Sequence, residues 1–248
     1  MREANNTFEL EGINIHYTQW TTNFSEKPAV ICHGVSEHSG CYSECVDFLC
    51  DNHFSVYGYD HIGHGKSGGK RGYIKSFSEF IRQLECFIKY VYDKEHKKIT
   101  LVSHSMGGLI TLHYLATNKN HSDYIEKLIF SAPAVGTQNI LHKPLEFFVK
   151  QLSKVFPTFN FPHLLSTSML TRDPIEQEKR KKDELILNRL SLSLLAGLLN
   201  YMDIIQNTNI ETTLPTLALI AGSDKVVNPQ KALNLFNIFS KQTTKINI

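Results

Sequence analysis

Histidine is missing from the final third of this chain: of 12 histidines in 248 residues, the last is His163. Tryptophan occurs once, and no tract is repetitive or compositionally biased, which excludes repeat arrays and low-complexity segments. Net charge is almost nil. The 26 Lys and Arg against 24 Asp and Glu leave +2, without the broad basic face that phosphate-backbone binding needs, so nucleic acid is not an expected partner. No apolar run reaches the ~18 residues of a membrane span. The opening MREANNTFELEG lacks the apolar core and cleavage site of a signal peptide, so a cytoplasmic setting is expected. Cysteines number five (Cys32, Cys41, Cys45, Cys50, Cys86), an odd set confined to the first third with no paired ligand spacing. They predict reduced, mostly buried thiols and neither a metal framework nor disulfides.

What is present is enough apolar sequence, 42% of residues, to bury the core of one large domain. Short β-branched runs at 29–32, 54–59, 99–103, 125–131, 216–221 and 244–248 alternate with helical patterns at 41–52, 77–92, 106–117 and 230–239. That alternation predicts an α/β fold, a mostly parallel central sheet with helices on both faces, opened by a hairpin at 8–10 and 13–17. Residues 136–213 break the rhythm: helical apolar spacing, no convincing strand, and too long for a connection. They read as a helical cap inserted between a first core part, 1–135, and a second, 214–248. Within the cap, the cluster EQEKRKKDE at 176–184 reads as a solvated helix face, or as a contact with an anionic membrane surface.

The chemistry concentrates at three strand ends. A buried strand runs into Ser103-His104-Ser105-Met106-Gly107 and then into a helix, the context of a nucleophile elbow, where small residues two before and two after the serine let strand and helix pass closely. A serine after a strand can also be a mere helix cap. The strand ending at Cys32 meets His33-Gly34-Val35, placed to supply an oxyanion donor; the Val35 and Met106 N–H groups are the expected pair, and Gly34 allows close approach. The third end, Gly222-Ser223-Asp224, presents a carboxylate in the order serine, then acid, expected of a hydrolase triad.

HGVSEHSGCY (33–42), YDHIGHGKSGGKRGYI (59–74), SHSMGG (103–108), SAPAV (131–135) and GSDKVVNP (222–229) together resemble the monoacylglycerol lipase and lysophospholipase group of α/β-hydrolases, in the family's order. The resemblance implies a serine esterase with Ser105 as nucleophile, Asp224 as triad acid, an oxyanion hole at Val35 and Met106, and a cap forming an acyl-chain tunnel. Cys41 stands where the family usually has arginine, which puts a family ion pair in doubt, and Ser103 replaces the elbow glycine.

A base is absent after Asp224. In a parallel sheet it should follow the next strand, just past Ile248, so the chain as written is expected to be nearly inactive, with activity requiring residues beyond 248. An early stop in the sequence, a natural truncation and a non-catalytic relative all account for this. His33, His38, His61, His64 and His104 read as loop-shaping residues, with a substitute base among them as the alternative. Apolar cap residues such as Phe147, Phe148, Phe156, Leu164, Leu165, Leu194 and Leu198 suit a long acyl chain, with Leu164, Leu165 and Leu198 beside Gly34 as substrate contacts. The expected partner is a lipid ester, met through peripheral membrane contact of the cap, and no metal or organic cofactor enters. A non-catalytic binding protein and an acyltransferase remain the rival functions.

Overall fold

A computed structural model of the chain describes residues 1–138, 143–162, 165–239 and 243–247, the last segment by its backbone. Ten strands and eight α-helices are found among these residues. In chain order the core begins β1 (Arg2–Leu10), β2 (Ile13–Thr21), β3 (Lys27–Cys32), α1 (Ser43–Asp51), β4 (Phe54–Tyr59) and α2 (Ser78–Glu95). It continues with β5 (Ile99–His104), α3 (Met106–Thr117) and β6 (Ile125–Ser131). After α4 (Lys143–Val155), β7 (Asn160–Pro162), α5 (Thr167–Leu170), α6 (Pro174–Lys182), β8 (Arg189–Ser191) and α7 (Leu192–Ile205), the sheet resumes with β9 (Thr216–Ile220), α8 (Pro229–Phe239) and β10 (Thr243–Asn247).

The main sheet has the order β1-β2-β4-β3-β5-β6-β9-β10, antiparallel at the β1-β2-β4 end and parallel from β4 onward. Period-2 alternation assigns each strand's side chains to two faces. Ala29, Ile31, Val56 and Val102 pack with α1 residues Val46 and Leu49 on one side. Val30, Cys32, Tyr57 and Leu101 face Phe80, Leu84, Phe87 and Leu112 of α2 and α3 on the other. Helix α2 buries Phe80, Leu84, Phe87, Ile88 and Val91 at helical spacing and ends on His96 in the left-handed region, φ 52°. Helix α3, buried from Met106 to Leu115, is apolar all round because it lies between the sheet and α7.

Two sequence expectations differ from the structure. The opening hairpin extends to residues 2–10 and 13–21, because polar Asn5 and Thr7 lie on the exposed edge strand β1, where no apolar alternation is needed, and Gln19 of β2 bonds the Tyr57 hydroxyl. Its turn is Glu11-Gly12, both at positive φ (52° and 79°), as a two-residue hairpin turn requires. The 136–213 segment is not strandless: β7 and β8 pair antiparallel. Three-residue strands, one ending in Pro162, carry no periodic signal. Helix α4 packs on α7 through Val149, Leu192, Ala196 and Leu199.

Candidate active site

Strands β3, β5 and β9 all end at the carboxyl edge of the parallel sheet, and the predicted catalytic and oxyanion-hole residues follow them: Gly34 and Val35 after β3, Ser105 and Met106 after β5, Asp224 after β9. Ser105, between β5 and α3, has φ 50° and ψ −116°, a conformation that costs a non-glycine residue about 1–3 kcal/mol. The surrounding backbone holds it there: its N–H donates to Ser131 O (3.0 Å), and its carbonyl accepts from Ala134 N (2.9 Å) and Leu109 N (3.2 Å). Glycine at 107 is obligatory, since a Cβ there would lie 2.1 Å from the Cys32 carbonyl oxygen. Ser103, in place of the elbow glycine, is fully buried and hydrogen-bonds Thr111 Oγ1 at 2.7 Å. The Ser105 hydroxyl itself is half-buried and hydrogen-bonds no described residue.

The loop after β3 lies directly against Ser105: a Cβ on Gly34 would be 3.2 Å from Ser105 Cβ. The Gly34 carbonyl accepts from His33 Nδ1–H (2.7 Å), and His33 Nε2 accepts the His61 N–H (2.9 Å), which fixes the ring's tautomer. Val35 follows Gly34 in this loop, and Met106 follows Ser105 as the first residue of α3. Asp224, past β9, is half-buried, and its Oδ1 accepts from the N–H groups of Val226 (2.7 Å) and Val227 (2.9 Å). The segment after β6 joins the two ends: Ala134 N–H bonds the Ser105 carbonyl, Gly136 O accepts from Asn228 N (2.9 Å), and Gln138 N donates to Val226 O (2.8 Å).

The loop histidines are engaged elsewhere. Burial pushes His33 down to about 3 and His64 down to about 4, and lowers His61 as well, so all three are neutral at ordinary pH. His61 Nε2–H donates to His33 O (3.0 Å) and His64 Nδ1–H to Ile62 O (3.0 Å). His104 hydrogen-bonds Ser131 Oγ (3.2 Å) and lies edge-on to Tyr42. His38 accepts from Gly40 N on Nδ1 (3.2 Å) and donates from Nε2 to Asp183 Oδ2 (2.7 Å). The donor atoms of His38, Cys41 and Asp183 lie within 4.8 Å of one another. Both nitrogens of that ring are committed, and desolvation and the Glu37 carboxylate push the Cys41 thiol up to about 12, so the group stands as a hydrogen-bonded pair beside a neutral thiol.

Sequence reasoning missed Glu37, Asp60 and Arg180. Asp60 collects the N–H groups of Ser39 and Lys66 (2.8 Å each) and His16 Nδ1 (3.3 Å), tying the loops after β3 and β4 together. Burial opposes its ionisation, but these bonds and the neighbouring histidines hold its carboxyl well below the ordinary range. It also lines a cleft of 310 Å³ beside the hairpin, whose walls include His16, Trp20 and His38 but not Ser105. Arg180 corrects the solvated-face reading of 176–184: its side chain turns inward to Glu37 Oε1 at 2.8 Å. The guanidinium beside Glu37 therefore comes from α6, and Cys41 makes no ion pair. Against burial, His104, Arg180 and the Tyr42 hydroxyl keep Glu37 below the ordinary carboxylate range. Of the predicted substrate contacts, Leu198 is buried in the main core on α7, Leu165 is half-buried, and Leu164 lies outside the described residues.

Comparison with known proteins gives consistent likenesses. A hydrolase family model described as serine aminopeptidase, S33, matches residues 25–248. A phospholipase, YtpA, of Bacillus subtilis is 28% identical over 222 residues, 88% of this chain and 83% of its own. The monoglyceride lipase of Homo sapiens is 28% identical over 224 residues, 88% and 72% of the two chains. Among solved structures, the monoacylglycerol lipase of Paleococcus ferrophilus superposes with a TM-score of 0.83 at 26% identity, over 94% of this chain and 88% of that one. A soluble variant of the Saccharomyces cerevisiae monoglyceride lipase in complex with a substrate analog has a TM-score of 0.85 at 18% identity, over 98% and 84%, a likeness of fold.

Proposed function

The chain belongs to the serine aminopeptidase S33 family of α/β-hydrolases, and from that membership we propose that it is a serine esterase acting on a long-chain monoacyl ester, a monoacylglycerol or lysophospholipid. The observation that carries the proposal is Ser105 at φ 50°, raised at the sheet's carboxyl edge with the Gly34 loop against it. Ser105 Oγ attacks the ester carbonyl, the Val35 and Met106 N–H groups receive the developing oxyanion, and the alcohol leaves; water then releases the acid from the acyl-serine. The positive end of α3 adds to the field at that oxygen. Asp224 is the acid that orients the base, and the order strand, acid, helix, strand puts the expected position of that base after β10.

The substrate class rests on two supports. Relatives bear the names of lipases and a phospholipase. The segment 136–213 acts as the cap, with the ester carbonyl at Gly34 and the acyl chain on the side of half-buried Leu165. Phe147, Phe148, Phe156 and Phe159 are each more than half exposed on and after α4, beside Lys143, Lys150 and Lys154. Aromatics flanked by lysines suit contact with a lipid surface from which the substrate is drawn. The test is hydrolysis of long-chain monoacyl esters by a chain continuing past Ile248. Turnover is expected there, with a loss of roughly 10³-fold or more in Ser105→Ala and in a chain stopped at Ile248. Undiminished turnover in Ser105→Ala overturns the proposal.

A further inference from the structure

Three successive residues of the oxyanion loop are held by one stretch of the segment between β6 and β9. Leu187 N–H donates to Ser36 O (3.0 Å), Arg180 Nη1 to Glu37 Oε1 (2.8 Å), and Asp183 Oδ2 accepts from His38 Nε2–H (2.7 Å). Glu37 is the pivot because its two oxygens face opposite ways. Oε2 accepts from Gly34 N–H (3.2 Å) and the Tyr42 hydroxyl (2.7 Å), both in the core, while Oε1 meets α6.

The consequence runs through one peptide plane. In a trans peptide the Gly34 carbonyl and the Val35 N–H point in opposite directions. His33 fixes that carbonyl, and Glu37 fixes the N–H on the other side of Gly34, so the two contacts together aim the Val35 N–H. Glu37 and Arg180 expose only 13% and 17% of their side chains. A carboxylate this enclosed, if stripped of its guanidinium, must rehydrate or take up a proton, and either change loosens its hold on Gly34.

We infer that Arg180 is a positioning residue whose ion pair with Glu37 couples closure of the 180–191 stretch to assembly of the oxyanion hole. The inference rests on the esterase reading above and deepens it: the site is complete only while this stretch is seated, so substrate entry and catalytic competence alternate.

The test compares wild type, Arg180→Ala, Arg180→Lys and Glu37→Gln/Arg180→Ala in a chain continuing past Ile248. Three readouts are taken: turnover of a short soluble ester, affinity for a trifluoromethyl ketone that forms a tetrahedral oxyanion adduct, and affinity for the matching unreactive alcohol. Arg180→Ala should lower kcat about 10- to 100-fold, less than outright removal of an oxyanion donor, with KM changed under about threefold. Ketone affinity should fall by the same factor and alcohol affinity should hold. Arg180→Lys should recover most of the loss, and adding Glu37→Gln should cost little more. Hydrogen exchange of the 33–38 backbone should quicken in Arg180→Ala and slow again in Arg180→Lys, a readout independent of catalysis. A kcat within twofold of wild type, a loss confined to KM, or unchanged exchange overturns the inference. Inactivity of every protein, wild type included, counts against the esterase reading, while exchange still decides the coupling.

Discussion

Gly107 and Ser103 flank Ser105 and are tied to opposite requirements. At 107 the Cys32 carbonyl oxygen leaves no room for a methyl group, and that oxygen is main chain, which cannot swing aside. Gly107→Ala is therefore expected to cost about 3 kcal/mol or more, read as a fall in the urea midpoint. At 103 the side chain is wanted for its hydroxyl, which pairs with Thr111 in full burial. Ser103→Ala should cost roughly 1–2 kcal/mol by stranding the threonine, and the double change Ser103→Ala/Thr111→Val should recover most of it. If the double variant is no more stable than the single one, the hydrogen bond is not what makes serine acceptable there. The need for small residues was legible in the five-residue pattern. The partner of Ser103 was not, because it sits one helix turn into α3 and meets β5 only once the elbow has folded.

Elements carry the acid response. His33, His61 and His64 sit buried and neutral in the loops after β3 and β4, His33 at about 3 and His64 at about 4 against an ordinary 6.5. Lowered folded values mean that the unfolded chain binds protons first. Stability from this trio is complete above about pH 6.5 and is lost as pH falls from there toward 4. Melting temperature should thus be flat above that point and decline below it, and the oxyanion loop should lose exchange protection with it. A flat melting temperature down to pH 4 contradicts the buried neutral assignment. Strands β3 to β6 were legible as short apolar runs and helix α2 by apolar residues at every third and fourth position, whereas α3, apolar all round, was legible from its place after the strand and glycine pair of the elbow. The β7-β8 pair was hidden by its brevity. The inward turn of Arg180 was hidden because its partner, Glu37, lies 143 residues away, and a charged run looks the same whether one member faces in or all face out.

Across the whole molecule, a sheet that presents Ser105 and Asp224 on one edge is overlaid by a segment exposing Phe147, Phe148, Phe156 and Phe159. Among the described residues no helix is long and apolar enough to cross a membrane. Replacing Phe147 and Phe156 by serine should lower partitioning onto anionic vesicles by about 10-fold or more in co-sedimentation, given ~1 kcal/mol or more per partly inserted ring, and leave turnover of a short soluble ester unchanged. Equal partitioning would remove the α4 face from the account. Chain order made the convergence of Ser105 and Asp224 on one edge readable, since strand ends in a parallel sheet converge wherever the sequence alternates strand and helix. How the 136–213 segment seats on that edge depends on contacts between distant residues.

The most direct test of Ser105 as nucleophile is covalent. A chain continuing past Ile248, treated with a fluorophosphonate and digested with trypsin, should carry one phosphonyl group on the peptide 99–119, located by tandem mass spectrometry to Ser105 Oγ and lost in Ser105→Ala. An adduct on another residue, or labelling that survives Ser105→Ala, would contradict the account.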